Sequence, residues 1–538
     1  MSFFARHLSA IQEVQKNTPA TMSIPGREQE MARNNNGGFS FVIDDWSFYD
    51  RFLIIGPQSG NNAKDANLLA DEGIALVKKL IKIDAIRVLS QAVQFSLEGR
   101  APKNDSAIIA IAMVAAYGDS AEQVAAYEAM LDVCRTGTHL FLFVQVVNQF
   151  GKWNAAAKRG VAKWYTSKQD DRLAVQLLKY QNRNGWSHRD VLRLGHIKPQ
   201  SDVQNAMFRH VVGSDKKDLQ EFLPELFEDV RIMNSTSDSK VITKIIEGNS
   251  KISWEMVPTQ FLNDAKVLEA LLPNMGMTAL IRQLGRFSAN GLTTPLSKSF
   301  GIIRDKLSSV EAIKNGRVHP ITILTALKSY QTGHGRSGAS WNAERQIVDM
   351  LDAAFYNSFK FIEDTGANVM LGIDCSGSMF GCNVNNSVLT AAEVAACMAM
   401  AVAKSHKNYF IGGFSSKFQP LAISPNMGLD KTMEVIRRFN WSSTNISSVA
   451  QFATSNRMNV DVFGIITDND VNCGIHPTQA LNNFRRTMNK NAAQIVCATS
   501  MSRFTVADPT DPMQVDITGF DSHVPAIFAE FEKMVFKK

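Results

Sequence analysis

A short polar string with metal-binding chemistry stands at residues 374–378, where oxygen-bearing side chains alternate in Asp374-Cys-Ser-Gly-Ser378. It directly follows the apolar run at 368–373, which predicts a buried strand. One carboxylate and two hydroxyls on alternate residues of a tight turn offer half of an oxygen cage for a hard divalent cation. The string indicates binding rather than catalysis, because the chain shows no nucleophile paired with a base.

Two further oxygen ligands are predicted at or near strand ends. Thr444 lies in the polar turn at 442–445, and Asp468 follows the apolar run at 462–466. Open α/β sheets place their ligands at the carboxyl ends of strands, so we expect these side chains to join the first motif. Such a sparse oxygen site suits Mg²⁺, which keeps positions open for water or for a partner's acidic group. The predicted metal ligands are Asp374, Ser376, Ser378, Thr444 and Asp468.

This set of five residues resembles the metal-ion-dependent adhesion site of von Willebrand factor A domains. The competing interpretation is that the Asp and Ser side chains after the strand only cap the next helix. A phosphatase of the haloacid dehalogenase type needs a second Asp where Ser376 stands, and a serine hydrolase needs Gly-x-Ser-x-Gly at this turn. Neither pattern is present, so the sequence favours a protein that is not an enzyme.

The composition is that of a large soluble globular protein. Its 538 residues are 45% hydrophobic and 20% charged, which predicts about two to four domains. The first twenty residues hold no long apolar stretch, and the apolar run at 391–403 is too short to cross a bilayer. We therefore expect no signal peptide, no membrane association and a cytoplasmic location. The six cysteines form no Cys-x-x-Cys pair, and we expect reduced buried thiols rather than a zinc site.

The first two thirds of the chain carry a helical pattern. Residues 1–25 form a polar lead-in with one short helical stretch, and 39–43 a short strand. From about 64 to 360 apolar residues recur at helical spacing, which predicts an α-solenoid or a helix bundle. The predicted helices include 138–150, 172–182, 215–230, 258–272, 277–288, 320–330 and 342–360.

After residue 363 strands and helices alternate, which predicts a mostly parallel sheet with helices on both faces. The expected fold class of the whole chain is therefore α + α/β, a helical solenoid followed by a Rossmann-like domain. Strands are predicted at 368–373, 408–414, 461–466 and 493–499, and helices at 387–405, 430–439 and 477–490.

Positive charge is concentrated in residues 151–200, called the basic segment below. It holds eleven Lys and Arg against three acids, whereas the whole chain has a net charge of only +6. Basic side chains interleaved with aromatics suit single-stranded nucleic acid, because cations neutralise phosphates and rings stack on unpaired bases. A merely solvated helical face is the alternative, and the tryptophans are expected in the core. The candidate RNA-binding residues are Lys158, Lys163, Lys168, Arg172, Lys179, Arg183, His188, Arg189 and Arg193, joined by Arg100, Lys103 and Arg135 if the fold brings these to the same surface.

Several motifs resemble the Ro autoantigen family, whose helical part is the TROVE module. The most specific is Trp186-Ser-His-Arg-Asp-Val-Leu-Arg-Leu-Gly-His196, and further matches stand at 33–39, 51–56, 100–103, 135–138, 278–285, 319–320 and 330–335. The order of the two parts also agrees, since the helical module precedes a von Willebrand A domain. The resemblance covers about 27–538, and the polar lead-in is more similar to bacterial members, the Ro sixty-related proteins.

The resemblance implies a ring of HEAT-like helical repeats at 26–362, followed by a von Willebrand A domain at 363–538 with its metal site. Ro proteins bind Y RNAs on an outer basic surface, hold single-stranded 3′ ends of misfolded RNAs in a central hole, and act in noncoding RNA quality control. The expected partners are such RNAs and polynucleotide phosphorylase or another exoribonuclease, with the protein otherwise a monomer. The alternative is a protein–protein adaptor that docks acidic partners at the metal site. Carried over to this chain, the outer surface includes Lys168, Arg172, Lys179, Arg183, His188 and Arg189.

Overall fold

The computed structural model describes residues 17–56, 63–183, 185–335, 339–359, 364–381, 383–384, 388–424, 426–440 and 442–536. The chain separates into two compact units, one formed by Met1–Leu69 with Phe359–Lys538 and the other by Ala70–Ser358. The predicted helical module at 26–362 is therefore divided, because its first part is packed into the unit that contains the α/β domain.

A small antiparallel sheet and one helix form the N-terminal part of the first unit. Strand β1 (Met31–Arg33) pairs with β2 (Phe39–Val42), which confirms the strand predicted at 39–43. Helix α1 (Asp45–Ile54) begins after Asp44, whose carboxylate accepts hydrogen bonds from the first backbone N–H groups of the helix. Arg51 of α1 is completely buried.

Residues 17–25, predicted as part of a polar lead-in, are also packed into this unit. The N–H of Thr18 donates to Gln479 Oε1 at 2.6 Å, and Ala20 is completely buried in an apolar cluster formed largely by residues of the α/β domain. A separate lead-in is therefore wrong for 17–25. The side chains of Asn17 and Thr18 also accept hydrogen bonds from Asn483 and Gln479. These partners are distant in sequence, so the composition of the segment does not reveal the contacts. Residues 1–16 lie outside the described residues.

Helix follows helix through the second unit, as predicted, and strand-like pairing within its described residues is limited to isolated bridges. None of the helices described for this chain is both long and apolar enough to span a bilayer. Helix α2 is interrupted at Asp84, whose φ of −160° and ψ of 88° are not helical. The helices are α2 (Ala63–Glu98), α3 (Asp105–Tyr117), α4 (Ser120–Val133), α5 (Gly137–Gln149), α6 (Ala155–Thr166), α7 (Asp170–Lys179), α8 (His188–Gly195), α9 (Asp202–Val212), α10 (Glu225–Ser235), α11 (Ser239–Gly248), α12 (Ala265–Leu271), α13 (Met277–Ala289), α14 (Lys298–Ser308), α15 (Val310–Asn315), α16 (Pro320–Gln331) and α17 (Arg345–Asn357).

A proline interrupts one of the predicted helices, and a second predicted helix is shorter than expected. The single helix expected at 215–230 is a short 3-10 turn at Lys217–Phe222, then a break, then α10. Pro224 stands at the break and forces the preceding residue into an extended conformation; Leu223 has φ −69° and ψ 128°. The helix expected at 258–272 is likewise reduced to α12, whose first N–H groups donate to the carboxylate of Asp264.

Local capping signals position the helix of the family motif. The Ser187 hydroxyl accepts from the N–H of Asp190, and the carboxylate of Asp190 accepts from the N–H of Ser187 at 2.9 Å, which closes a capping box at the start of α8. The helix ends at Gly195, and His196 adopts the left-handed conformation with φ 49°. A second capping box, formed by Asp119 and Glu122, begins α4.

The α/β part of the first unit is a six-stranded sheet with strand order β5-β4-β3-β6-β7-β9. Neighbouring strands are parallel except for the pair β4–β5, which confirms the predicted mostly parallel sheet. A two-residue strand, β8 (Phe504–Thr505), pairs with β2 instead. The elements are β3 (Asn368–Asp374), α18 (Gly377–Gly381), α19 (Ala391–Lys404), β4 (Asn408–Phe414), β5 (Phe418–Pro420), α20 (Leu429–Arg437), α21 (Ser447–Ser455), β6 (Val462–Thr467), α22 (Pro477–Met488), β7 (Ala493–Ala498), β9 (Gln514–Thr518) and α23 (Val524–Phe536).

The buried central strands of the sheet were predicted, but its two outer strands, β5 and β9, were not. Strand β6 is buried along its whole length, which gives a continuous apolar run that sequence periodicity detects. Strand β5 has only three residues and ends in a proline, and β9 mixes buried with half-buried positions. Helices α21 and α23 were also not predicted. The start of α19 predicted at 387 lies outside the described residues, and the helix itself begins after Thr390.

Candidate metal centre and nucleic-acid interface

The first predicted metal-binding motif lies where β3 ends. Asp374 is the last residue of β3 and is completely buried, and Ser376 is almost completely buried. The N–H of Ser376 donates to Asp374 Oδ1 at 2.9 Å, and the hydroxyl oxygens of Ser376 and Ser378 lie 3.0 Å apart. The turn therefore places a carboxylate and two hydroxyls close together, which is the arrangement that shared coordination of one cation requires.

One loop connects the two remaining predicted ligands. Asp468 follows β6, and the loop after it returns to the Thr444 turn, where the N–H of Thr444 donates to Asn472 Oδ1 at 2.8 Å. Both Thr444 and Asp468 are buried. Thr467, the last residue of β6, donates its hydroxyl to Asp374 Oδ2 at 2.6 Å. The structure thus brings the three predicted parts of the site to the end of the sheet where the parallel strands have their carboxyl termini.

The buried carboxylates of this site favour a bound cation. Burial and the nearby charge of Asp468 raise the pKa of Asp374 above its ordinary value. The same causes raise the pKa of Asp470, a further buried carboxyl that was not among the predicted ligands. Its signal in the sequence is the Asp-x-Asp spacing at 468–470. A divalent cation would offset this repulsion between carboxylates.

The available donor atoms fit the predicted Mg²⁺. Two carboxylates and three hydroxyls form an oxygen-only set, which hard cations prefer over the nitrogen and sulfur ligands of zinc. Across the described ranges, His, Cys, Asp and Glu side chains form no group of three that could hold a metal. The serine and threonine hydroxyls are therefore needed to complete this site, and the binding of Mg²⁺ stays a prediction.

The basic segment folds into α6, α7, α8 and the turns between them. Arg172 of α7, Arg183 in the turn that follows, and Arg189 and Arg193 of α8 are exposed to solvent. Arg189 and Arg193 stand one helical turn apart and therefore share a face of α8. These residues, called the four exposed arginines below, are accessible to phosphate groups.

Three lysines of the basic segment are less available to a ligand than the four exposed arginines, because they pair with acidic side chains or are partly buried. Lys163 is exposed, and its Nζ forms an ion pair with Glu128 at 2.7 Å. The Nζ of Lys179 lies 3.4 Å from Glu255 Oε1, and Lys158 is half-buried. Exposed ion pairs contribute only about 0–1 kcal/mol to stability, so a phosphate could replace the acidic partner of Lys163 at little cost.

His188 belongs to the core and not to the accessible surface. Its side chain is only 2% exposed, Nδ1 lies 2.8 Å from the Tyr165 hydroxyl, and Nε2 lies 3.0 Å from the carbonyl oxygen of Gln176. Burial lowers the pKa of His188 to about 3, so the imidazole is neutral and cannot neutralise a phosphate. The prediction that His188 contacts RNA is therefore wrong. Trp164, which stacks on His188, is completely buried as expected.

Lys168 is a half-buried cation just beyond the end of α6. Its Nζ donates to the carbonyl of Trp164 at 2.6 Å and lies 3.5 Å from the centroid of the Trp164 ring. Burial lowers the pKa of Lys168 to about 8. Its charge therefore changes just above neutral pH, whereas arginines stay charged.

We expect RNA binding to weaken by about fivefold between roughly pH 7 and pH 9 through Lys168, the equivalent of about 1 kcal/mol. A lysine with a pKa near 8 is charged below that pH and neutral above it, so the phosphate contact predicted for Lys168 would be present at the lower pH and lost at the higher. Affinities measured by fluorescence anisotropy at three pH values will test this. Lys168→Arg should remove the pH dependence, whereas Lys163→Arg, the matched control, should keep it. A wild-type affinity that stays constant over this range would contradict the expectation.

The remaining predicted basic residues lie in the same helical unit. Arg135 donates from Nη1 to Ser96 Oγ at 3.0 Å. Burial and the nearby guanidinium of Arg317 lower the pKa of Arg135, so the two charges lie close together. Arg100 is half-buried and Lys103 is exposed. Their membership of one RNA-binding surface with the four exposed arginines stays a prediction.

Family comparisons cover both parts of the chain. A family model described as the TROVE domain matches residues 32–223 and 248–337, and one described as the Ro60 vWA domain matches 368–532. This chain belongs to the Ro60 family. The TROVE match begins inside the N-terminal segment that is packed with the α/β domain, so in this Ro60-family chain the sequence module and the compact unit have different boundaries.

Relatives within the Ro60 family match along almost the whole chain. The RNA-binding protein RO60 of Deinococcus radiodurans is 30% identical over 523 residues, which cover 96% of this chain and 97% of the relative. The protein of the same name from Caenorhabditis elegans is 29% identical over 578 residues, which cover 93% and 89%. The crystal structure of the D. radiodurans Ro (RSR) protein matches with a TM-score of 0.69 and 28% identity, covering 91% of this chain and 100% of that one.

Proposed function

We propose that this protein binds noncoding RNA without catalysing a reaction, and that it acts in RNA quality control. The observation that carries the proposal is the set of four exposed arginines within the basic segment of a Ro60-family chain. Guanidinium groups form charge-assisted hydrogen bonds with phosphates and stay charged at any physiological pH. The relatives from D. radiodurans and C. elegans, both named RNA-binding protein RO60, support the same activity.

The proposed ligands are Y-like RNAs bound at the basic segment and misfolded RNAs whose single-stranded 3′ ends enter a central hole of the helical repeats. A flexible tail can enter an opening that a stiff duplex cannot, and proteins generally recognise RNA by shape and by unpaired nucleotides. Phosphate contacts carry no sequence information, which suits quality control because defective RNAs share no sequence. A cytoplasmic exoribonuclease such as polynucleotide phosphorylase would then receive the bound RNA.

Two RNAs of equal length test this proposal, one a blunt hairpin and the other a hairpin with a single-stranded 3′ tail. We expect tighter binding of the tailed RNA, with affinity that falls steeply as salt rises, because each phosphate contact releases counterions. Equal affinity for both RNAs would contradict the proposed selection for loose ends. Absence of binding to either RNA would overturn RNA binding itself and favour an adaptor.

The metal centre supports a second candidate role, the docking of an acidic partner protein. We propose that Asp374, Ser376, Ser378, Thr444 and Asp468 hold Mg²⁺, because an oxygen-only set with two buried carboxylates fits a hard cation. A cation bound by few protein oxygens keeps positions that a partner's carboxylate can fill. This role is compatible with RNA binding, since the two sets have no residue in common.

We expect Mg²⁺ to stabilise the unit that contains this site. At a tenfold excess over the dissociation constant the gain is about 1.4 kcal/mol, which corresponds to a rise in melting temperature of roughly 3–6 °C. Asp374→Asn should abolish the rise, because it removes a negative charge while keeping the size of the side chain. Differential scanning fluorimetry with EDTA and with added Mg²⁺ measures both proteins.

The matched control for this measurement is Asp430→Asn, which removes an exposed carboxylate from α20 of the same unit. Its melting temperature should respond to Mg²⁺ as the wild type does. An Mg²⁺ response that persists in Asp374→Asn would place the cation elsewhere.

A further inference from the structure

A small pocket lies beside the basic segment in the helical unit. It has a volume of about 70 Å³, and its wall includes Lys179 at the end of α7, residues 252–255 and the start of α13. Lys179 is thus shared by the pocket and by the basic segment. Tyr180 is close to residues of both. Burial is the largest cause of the rise of its pKa to about 12, the charge of Glu255 raises this pKa further, and the charge of Arg183 lowers it.

Two acceptor oxygens on the wall of this pocket are unsatisfied. Ser253 Oγ and Glu255 Oε2 are buried, and within the part of the chain that the structure describes neither has a hydrogen-bond partner. The other carboxylate oxygen, Glu255 Oε1, faces Lys179 at 3.4 Å. Buried polar atoms without partners are rare and costly, so an occupant that brings N–H groups would be stabilised here.

The start of α13, also part of the wall, offers hydrogen-bond donors. Gly276 precedes α13, and over the described residues no side chain caps the first turn of this helix. The first N–H groups of a helix have no intrahelical acceptor and carry partial positive charge. The residues that line the pocket therefore include both acceptors and donors. Two other kinds of ligand fit this pocket less well. An anion such as phosphate would be repelled by the carboxylate of Glu255, and a polyamine would offer no acceptor to the N–H groups of α13.

An aromatic ring lies at the same place. Trp254 lines the pocket and is half-buried, and the guanidinium carbon of Arg286 lies 5.9 Å from its ring centroid. An accessible indole beside a cation is a platform for stacking an unpaired base. The volume of about 70 Å³ admits the edge of one base and excludes a base pair.

From these contacts we infer that the pocket receives the Watson–Crick edge of a single unpaired base that carries an exocyclic amino group. The amino group donates to Glu255 Oε2 or Ser253 Oγ, the ring nitrogen or carbonyl of the base accepts from the first turn of α13, and the ring stacks on Trp254. This inference rests on the proposed RNA binding and adds a preference between bases to it. The site would select cytosine over uracil, because uracil has a carbonyl where cytosine has the amino group.

The test compares two tailed hairpins that differ only in the tail, oligo-C against oligo-U, in the full-length protein. We expect about tenfold tighter binding of the oligo-C tail, within the range of one good base contact. Glu255→Gln should reduce this ratio to near one, because the amide can donate where the carboxylate only accepts, and it should leave the affinity for oligo-U nearly unchanged. Trp254→Ala should weaken both tails, since stacking does not distinguish the two pyrimidines.

Glu228→Gln is the matched control, because it makes the same change at an exposed carboxylate of the same unit, paired with Arg231. It should preserve the tenfold ratio, and circular dichroism should show that each variant is folded. Equal binding of the two tails by the wild type would overturn the base pocket while leaving RNA binding intact. The base pocket would also be overturned if Glu255→Gln kept the preference for oligo-C over oligo-U as fully as Glu228→Gln does. Absence of binding to either tail would overturn the proposed function as well.

Discussion

Replacing the four exposed arginines, Arg172, Arg183, Arg189 and Arg193, by alanine will weaken RNA binding by on the order of 100-fold near 0.1 M salt, about 0.7 kcal/mol for each arginine. The loss follows from removing phosphate contacts and not from unfolding, because all four side chains are exposed. The slope of log affinity against log salt should also become shallower by up to about 3. Each phosphate contact releases about 0.7–0.9 counterions when it forms, and the variant cannot form these four contacts. Anisotropy titrations across a salt series measure both quantities.

A control variant with the same change in net charge separates this surface from general attraction. Four exposed basic residues on other helices of the unit can be replaced by alanine together, and they are Arg231, Lys244, Lys266 and Arg304. We expect this control to lose no more than a few-fold in affinity, because long-range attraction is screened within about 10 Å at 0.1 M salt. Equal losses for the two variants would mean that RNA does not prefer the basic segment.

The second large effect concerns Arg51, which ties the N-terminal segment to the α/β domain. Its guanidinium is completely buried and donates to the carbonyl oxygens of Ser502 at 2.5 Å and Phe504 at 2.8 Å. It also forms an ion pair with Asp516 at 2.7 Å. Arg51→Met should destabilise this unit by about 3–5 kcal/mol, because it leaves the largely buried carboxylate of Asp516 without its countercharge and removes the guanidinium donor from the Ser502 carbonyl.

Hydrogen exchange in the buried strands β3 and β6, followed during urea denaturation, reports the stability of this unit. A matched control is Arg438→Met, which removes an exposed arginine paired with Glu434 one helical turn away. That variant should cost about 0.3–0.5 kcal/mol at most. A loss in Arg51→Met as small as in the control would mean that water reaches Asp516 and solvates it after the substitution.

The predicted metal site shows how much the local sequence can predict. Asp374 and Asp468 each follow an apolar run, and parallel strands bring their carboxyl ends to the same edge of the sheet. Adjacent placement of β3 and β6 was therefore enough to bring the two carboxylates together. Asp470 was not predicted, because its burial depends on a contact distant in sequence, the N–H of Asn35, which donates to its Oδ1 at 3.3 Å.

The basic segment shows where such reasoning stops. His188 and Arg189 are neighbours in the sequence and both can carry positive charge, yet one is buried and neutral and the other is exposed. On a helix, adjacent residues point about 100° apart, so the orientation of α8 against its neighbours decides which of them is exposed to solvent. That orientation depends on Tyr165 and Trp164 of α6, which pack on the imidazole.

The sequence by itself determined the helical part, the parallel sheet, the metal-binding motif and the location of the positive charge, because each of these depends on periodicity or spacing within a few residues. Only the tertiary structure decided that residues 17–54 are packed with the α/β domain, that Lys168 is half-buried, and that Ser253, Trp254 and Glu255 share a pocket with Lys179. These features join residues that are far apart in the chain or set the burial of single side chains. Composition and local spacing do not encode such contacts, because they arise only when helices and strands pack.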